Sequence, residues 1–275
     1  MAGAAIFYGN FAVLLEVNQL VETFELDIER LEEAYVALSK LWTERINNHY
    51  PGLSQEPLQH IVSLEQMRFR FRPEQPKLIF LEESHHRSPE WAESRWCFKS
   101  KGPAIVYNPQ FSQTTFWKFM IPAASLNIGD GPNRPDHRKH VMNELKKHGF
   151  WIVHISIFGI TAVDKLCGSK GFYSPEFCAE VEKLAKKKRK TPFRLTQLNG
   201  VDNPESIEFD IMEESYKRYT SFTLAATNCP ILAKKGNPRD FCLRHPELKE
   251  RMLDLDFEPK NVDMFLEVYK KYCLS

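Results

Sequence analysis

The six cysteines, Cys97, Cys167, Cys178, Cys229, Cys242 and Cys273, form no C-x-x-C pair and no tight framework. That spacing suits free thiols in a reducing compartment and argues against a structural zinc. No apolar run approaches the ~18 residues a membrane span requires. Ala4–Val17 is apolar, but it lacks a basic leader and carries Asn10 and Glu16, which makes it a poor signal peptide. These absences point to a protein of the cytoplasm or nucleus, with no membrane partner. The formal net charge is only +1, so any surface for a polyanion has to come from local clusters of basic residues. No glycine-rich phosphate loop, Walker motif or G-x-S-x-G elbow is present, which removes the commonest nucleotide-binding and serine-hydrolase chemistries. There is also no internal repeat and no low-complexity linker.

What is present suits an α/β fold. A chain of 275 residues with 43% apolar content is long enough for one sizeable core with a helical appendage. Apolar residues recur at helical spacing from Asp27 to Asn48 (Ile28, Leu31, Tyr35, Leu38, Trp42, Ile46), with Asp27 as cap and Pro51-Gly52 as stop. His60, Ile61, Leu64 and Met67 predict a second helix. Arg68-Phe69-Arg70-Phe71-Arg72 then alternates basic and aromatic residues, which reads as a half-buried strand or as a nucleic-acid contact pairing charge with stacking. Residues 1–72 are therefore expected to form a helical segment packed on a main domain of residues 73–275.

In that domain Leu78–Leu81 predicts a buried strand, Phe116–Ile121 begins a helix, Asp136–His148 predicts another, and Phe150–Phe158 is the clearest buried strand. Gly149 stands between the last two as a cap able to turn left-handed. Strand, helices, strand in that order is the pattern of a parallel sheet covered by helices. Ser174-Pro175 starts a further helix that runs into Lys186-Lys187-Lys188-Arg189-Lys190. This basic run has three readings: a helix end complementing its dipole, a phosphate-binding patch, or a nuclear import signal. Pro192–Ser206 reads as loop, Ser221–Ala226 as the last strand, and Val262–Tyr272 as a closing helix. The expected architecture is a three-layer sandwich around a short, mostly parallel sheet, with an N-terminal helical extension.

The chemistry concentrates where Leu78–Leu81 stops, at Glu82-Glu83-Ser84-His85-His86-Arg87. Polar groups at the carboxyl end of a buried strand lie where open α/β sheets place their sites. A glutamate beside two histidines can act as general base or hold an imidazolium. Glu83, His85 and His86 could also ligate a metal, although H-x-x-x-H spacing is missing. His154, in the middle of an apolar strand, is either satisfied by a backbone partner or faces the same crevice as Glu83.

The run from Leu81 to Cys97-Phe98 resembles the first motif region of the uracil-DNA glycosylase superfamily: a strand, an acidic or amide residue, a loop, then an aromatic after a cysteine. Gln113–Lys118 resembles the helix that follows in that family, and Gly149–His154 its second strand. The resemblance covers Lys77 to about Val163. It implies that Glu83 is the carboxylate that activates water, with Ser84 where another branch of the family has aspartate. It implies that Phe98 stacks on a flipped base and that His154 occupies the place of the asparagine that reads it. Asn228-Cys229-Pro230 and His245-Pro246-Glu247 are the two candidates for the second motif, and His245 or His85 would serve the leaving base. Arg87 and Lys186, Lys187, Lys188, Arg189 and Lys190 would hold phosphates. Where family loops carry a proline and glycines, this chain has His85-His86-Arg87. The implied activity is excision of a base from DNA, single-stranded or carrying an altered base, without a cofactor. The alternative is an inactive glycosylase-like fold that binds nucleic acid or protein, with the N-terminal helices recruiting a protein partner.

Overall fold

The structure, a computed structural model, describes residues 26–47, 55–87, 107, 120–124, 135–162, 193–194, 204–258 and 261–275. Helix α1 (Ile28–Trp42) starts as its sequence dictates: the Asp27 side chain accepts from the Arg30 backbone N–H at 2.9 Å, and Leu31, Ala34, Leu38 and Trp42 are buried along one stripe. A π-helical turn, Thr43–Asn47, extends it. Helix α2 (Leu58–Arg70) buries His60, Ile61, Leu64, Glu65 and Arg68. The basic-aromatic alternation at Arg68–Arg72 is thus a helix end and not a strand. Its period is overridden by the helical spacing that turns Arg68 inward.

Strand β1 (Leu78–Glu82) lies at the centre of a three-stranded, wholly parallel sheet, between β3 (Phe150–His154) and β6 (Ile231–Ala233). Leu78 pairs with Phe150 and Glu82 with His154 on one side; Phe80 pairs with Leu232 on the other. The chain reaches β3 through α3 (Pro135–Lys147) and Gly149, whose φ of +82° is the left-handed turn expected there. A Cβ on Gly149 would lie 2.7 Å from the Lys77 side chain, so both backbone and space require glycine. A second, minimal sheet joins β2 (His86–Arg87) to β4 (Thr161–Ala162) and β5 (Phe193–Arg194).

Alternation along the strands places Phe80 and Phe150 on one face, against Phe257 and against Phe265 and Tyr269 of the closing helix Val262–Cys273. Trp151 faces the other way, edge-on to Phe69 and donating its Nε1–H to the Arg68 carbonyl at 3.3 Å. Helices therefore cover both faces, and the fold is α/β around a small parallel sheet. Leu31, Leu38 and Trp42 of α1 and Ile61 and Leu64 of α2 belong to the same core as the strands.

The segment Ser221–Ala226, expected as a strand, is helical. It continues the helix Pro204–Ser215 through a π turn at Tyr216–Thr220 into Ser221–Ala225, because Tyr216, Tyr219, Thr220, Thr223 and Leu224 are buried at helical spacing. The third strand is instead Ile231–Ala233, just after Pro230. The expected loop Pro192–Ser206 contains β5 and the first turn of that helix.

Among the described residues β3 is an outer strand of the sheet, a position that leaves backbone groups to be satisfied. The buried Tyr107 closes part of that edge: its hydroxyl accepts from the Ile152 N–H and donates to the Ile152 carbonyl, both at 2.6 Å. Tyr107→Phe is expected to lower stability by about 1–3 kcal/mol, because it strands a buried donor and acceptor. Urea unfolding monitored by circular dichroism measures it.

Candidate functional site

The carboxyl ends of the three strands gather the polar groups. Glu82 ends β1, with its carboxylate 3.6 Å from His154 Nε2 on β3 and 3.9 Å from Lys234 Nζ just after β6. Burial holds the His154 imidazole below its usual pKa, partly offset by Glu82, so the ring is neutral near pH 7. The parallel pairing continues past the strands: the Ile155 and Ser156 N–H groups donate to the Glu82 and Glu83 carbonyls, each at 2.9 Å.

Glu83 is half-buried and turns its side chain toward β6. Its Oε1 accepts from Asn237 Nδ2 at 2.7 Å, and the same amide reaches the buried Glu208 Oε2 at 3.1 Å. Asn237 is delivered there by Gly236, whose φ of +97° ends the excursion from β6 and opens the helix Asn237–Arg244. Two carboxylates share one amide donor, which fixes the Glu83 head at the strand end.

Ser84 is structural in its contacts. Its Oγ donates to the His85 carbonyl and accepts from the Ile160 N–H, both at 3.1 Å. His85 turns inward, away from Glu83: its Nε2 lies 2.8 Å from Glu56 Oε1, and its ring lies between those of His60 and His154, with centroids 6.1 and 6.2 Å away. Glu56 Oε2 accepts the Gly159 N–H at 2.7 Å, and His60 Nε2 approaches Oε1 to 3.6 Å. The one-residue steps along Glu83-Ser84-His85 thus send successive side chains to different neighbours. Glu83, His85 and His86, the alternative metal set, are therefore not brought together around His85. His85 joins Glu56 and His60.

His245 caps the far end of the helix that Asn237 opens, so eight residues at about 1.5 Å rise put it roughly 12 Å from the Glu83 partner. Its partners are Glu213, at 3.0 Å, Glu247, and the rings of Tyr216 and Phe241. This is a packed imidazole between helices, not a neighbour of Glu83. Asn228 is exposed and precedes the amino end of β6, the edge of the sheet opposite Glu83. The backbone of Arg87 pairs with Ala162 in the small sheet. Phe98 and Lys186, Lys187, Lys188, Arg189 and Lys190 lie outside the described residues.

Four groups at this edge were not singled out from the sequence: Glu56, Lys234, Asn237 and Glu208. Gly236-Asn237-Pro238 is a readable helix start, with proline in the first turn, and so could have flagged Asn237. Glu56, four residues before His60, brackets a helix start but matches no motif. Glu208 gives no signal, being one acid among several in the helix Pro204–Ser215. No protein-family model, curated protein or solved structure matches the chain.

Proposed function

We propose that the carboxyl edge of the sheet is a base-excision site, at which a nucleotide turned out of DNA loses its base by hydrolysis of the N-glycosidic bond. The observation that carries this reading is the placement of Glu83. It stands at the end of the central strand, half-buried, with its carboxylate oriented by Asn237 and backed by a second, buried carboxylate. Breaking the C1′–N bond builds positive charge on the sugar and negative charge on the base. A fixed carboxylate stabilises the first and takes a proton from the attacking water, whose oxygen bonds to C1′ as the base leaves with the bond pair as an anion; the proton held by the carboxylate then passes through solvent to the released base, which restores the carboxylate. His154, on the neighbouring strand, is 4% exposed and held against Glu82, so it steadies the strand end beside Glu83 and does not read the base. Lys234, half-buried beside Glu82, adds positive charge where the leaving base becomes anionic.

The test is incubation of the full chain with single- and double-stranded oligonucleotides carrying uracil, hydroxymethyluracil and other altered bases, followed by detection of abasic sites. Release from at least one of them is the expected result. No release from any, together with DNA binding that weakens steeply with salt, would leave a non-catalytic binding module in its place.

A further inference from the structure

Glu56, His60 and His85 take no part in that chemistry, yet they converge on one another. Their ligand atoms all lie within 4.8 Å of one another, and the three residues are 0%, 6% and 4% exposed. We propose that these three side chains hold a divalent transition-metal cation of the zinc class, independently of whether the neighbouring edge excises bases.

The donor chemistry selects the ion. Two imidazoles and one carboxylate suit zinc and its neighbours, whereas magnesium and calcium take oxygen ligands. Around a tetrahedral zinc with bonds of about 2.0–2.1 Å, ligand atoms stand roughly 3.3 Å apart. The observed separations from Glu56 Oε1 are 2.8 Å to His85 Nε2 and 3.6 Å to His60 Nε2, and the ligand atoms of all three lie within 4.8 Å, so binding the ion asks for adjustments of a few tenths of an ångström at the carboxylate and for the two rings to settle at the same spacing.

Glu56 is already oriented for the task. Its Oε2 is held by the Gly159 N–H, leaving Oε1 to face both rings, the outer-shell bond that metal-binding carboxylates usually have. A dication seated between the two rings and this carboxylate would bring positive charge to a wholly buried acidic group, the setting in which buried charges are found paired or bound to a metal. The three ligands leave a fourth tetrahedral position for a water.

The ligands come from separate parts of the chain. Glu56 and His60 flank the start of α2, His85 follows β1, and the supporting Gly159 follows β3. The ion would pin α2 to the loop that leaves the central strand two residues after Glu83. It is a positioning element for that loop.

The experiment uses the purified full chain. Plasma mass spectrometry after dialysis is expected to find about one zinc per chain, and cobalt substitution to give a visible d–d absorption. Zinc at about 100-fold over its dissociation constant should raise Tm by roughly 5–10 °C, while magnesium leaves it unchanged. Glu56→Gln and His85→Gln should lose the bound metal. X-ray absorption of the zinc-loaded wild type, which does not depend on a variant folding, should count two imidazoles and no sulfur. A chain that retains no zinc and shows no Tm response overturns the proposal, as does a sulfur-ligated spectrum. So does full zinc stoichiometry in a folded His60→Gln/His85→Gln double variant.

Discussion

Replacing Glu83 by glutamine should slow base release by roughly 10²–10⁴-fold, the usual loss when a positioned acid–base group is removed. Glutamine keeps the volume and keeps an oxygen able to accept the Asn237 amide, now seen at 2.7 Å. The substitution therefore removes the charge and the proton acceptor without emptying the site. DNA affinity, set mainly by phosphate contacts, should stay close to that of the wild type. Single-turnover release with enzyme in excess separates this step from binding and from product release. Equal rates for wild type and Glu83→Gln would remove Glu83 from the mechanism even where excision itself is observed.

The largest expected effect on stability lies in α2. Arg68 is 1% exposed and pairs with Glu65, itself 4% exposed, to which the Tyr219 hydroxyl donates at 2.8 Å. Burial, the largest single influence, would lower the pKa of Arg68, but Glu65 together with Tyr219 and Tyr107 outweighs it and leaves the pKa raised, so the guanidinium is charged in the core. It also lies against the faces of Trp151 and Tyr219, 5.7 and 5.8 Å from their ring centres. Arg68→Ala should cost about 3–5 kcal/mol, because it leaves the Glu65 charge buried without its partner. The paired substitution Glu65→Leu/Arg68→Met should recover most of that loss, since desolvating two charges offsets much of what their attraction gains. Guanidinium unfolding of Glu65→Leu, Arg68→Met and the double variant yields the coupling energy directly.

The contrast between these residues explains what could be read from the chain. Strands β1 and β3 are legible because each is an apolar run preceded by a turn residue, Pro76 before one and Gly149 before the other, although β3 ends at His154 and not at Phe158, where the apolar run expected as strand ends. The α1 stripe is legible because Asp27 and the spacing of Leu31, Leu38 and Trp42 agree. Ile231–Ala233 was hidden because three residues are too few to show a period, while the β-branched and aromatic content of Ser221–Ala226 imitated a strand. Arg68 was misread for a related reason. Alternation over five residues looks like a strand until tertiary burial of a paired guanidinium favours the helix.

The site was legible only along the chain, not across it. Glu83 and His154 could be placed on neighbouring strand ends because parallel pairing makes their positions a matter of register. Asn237 and Glu208 come from segments more than a hundred residues away, and Glu56 from the helix start before β1. Nothing local announces that these groups meet. The histidine pair likewise suggested one site, whereas the chain turns His85 into the core toward Glu56.

The most direct test of the account is where DNA sits. Backbone hydrogen exchange of the Glu83→Gln protein, compared with and without an oligonucleotide bearing the altered base, reports this at the level of segments. DNA bound at the carboxyl edge gives added protection in Ser84–His85, Ile155–Ile160 and Lys234–Asn237. Protection confined to the opposite edge, around Gly149 and Asn228–Pro230, or none anywhere, would contradict that placement.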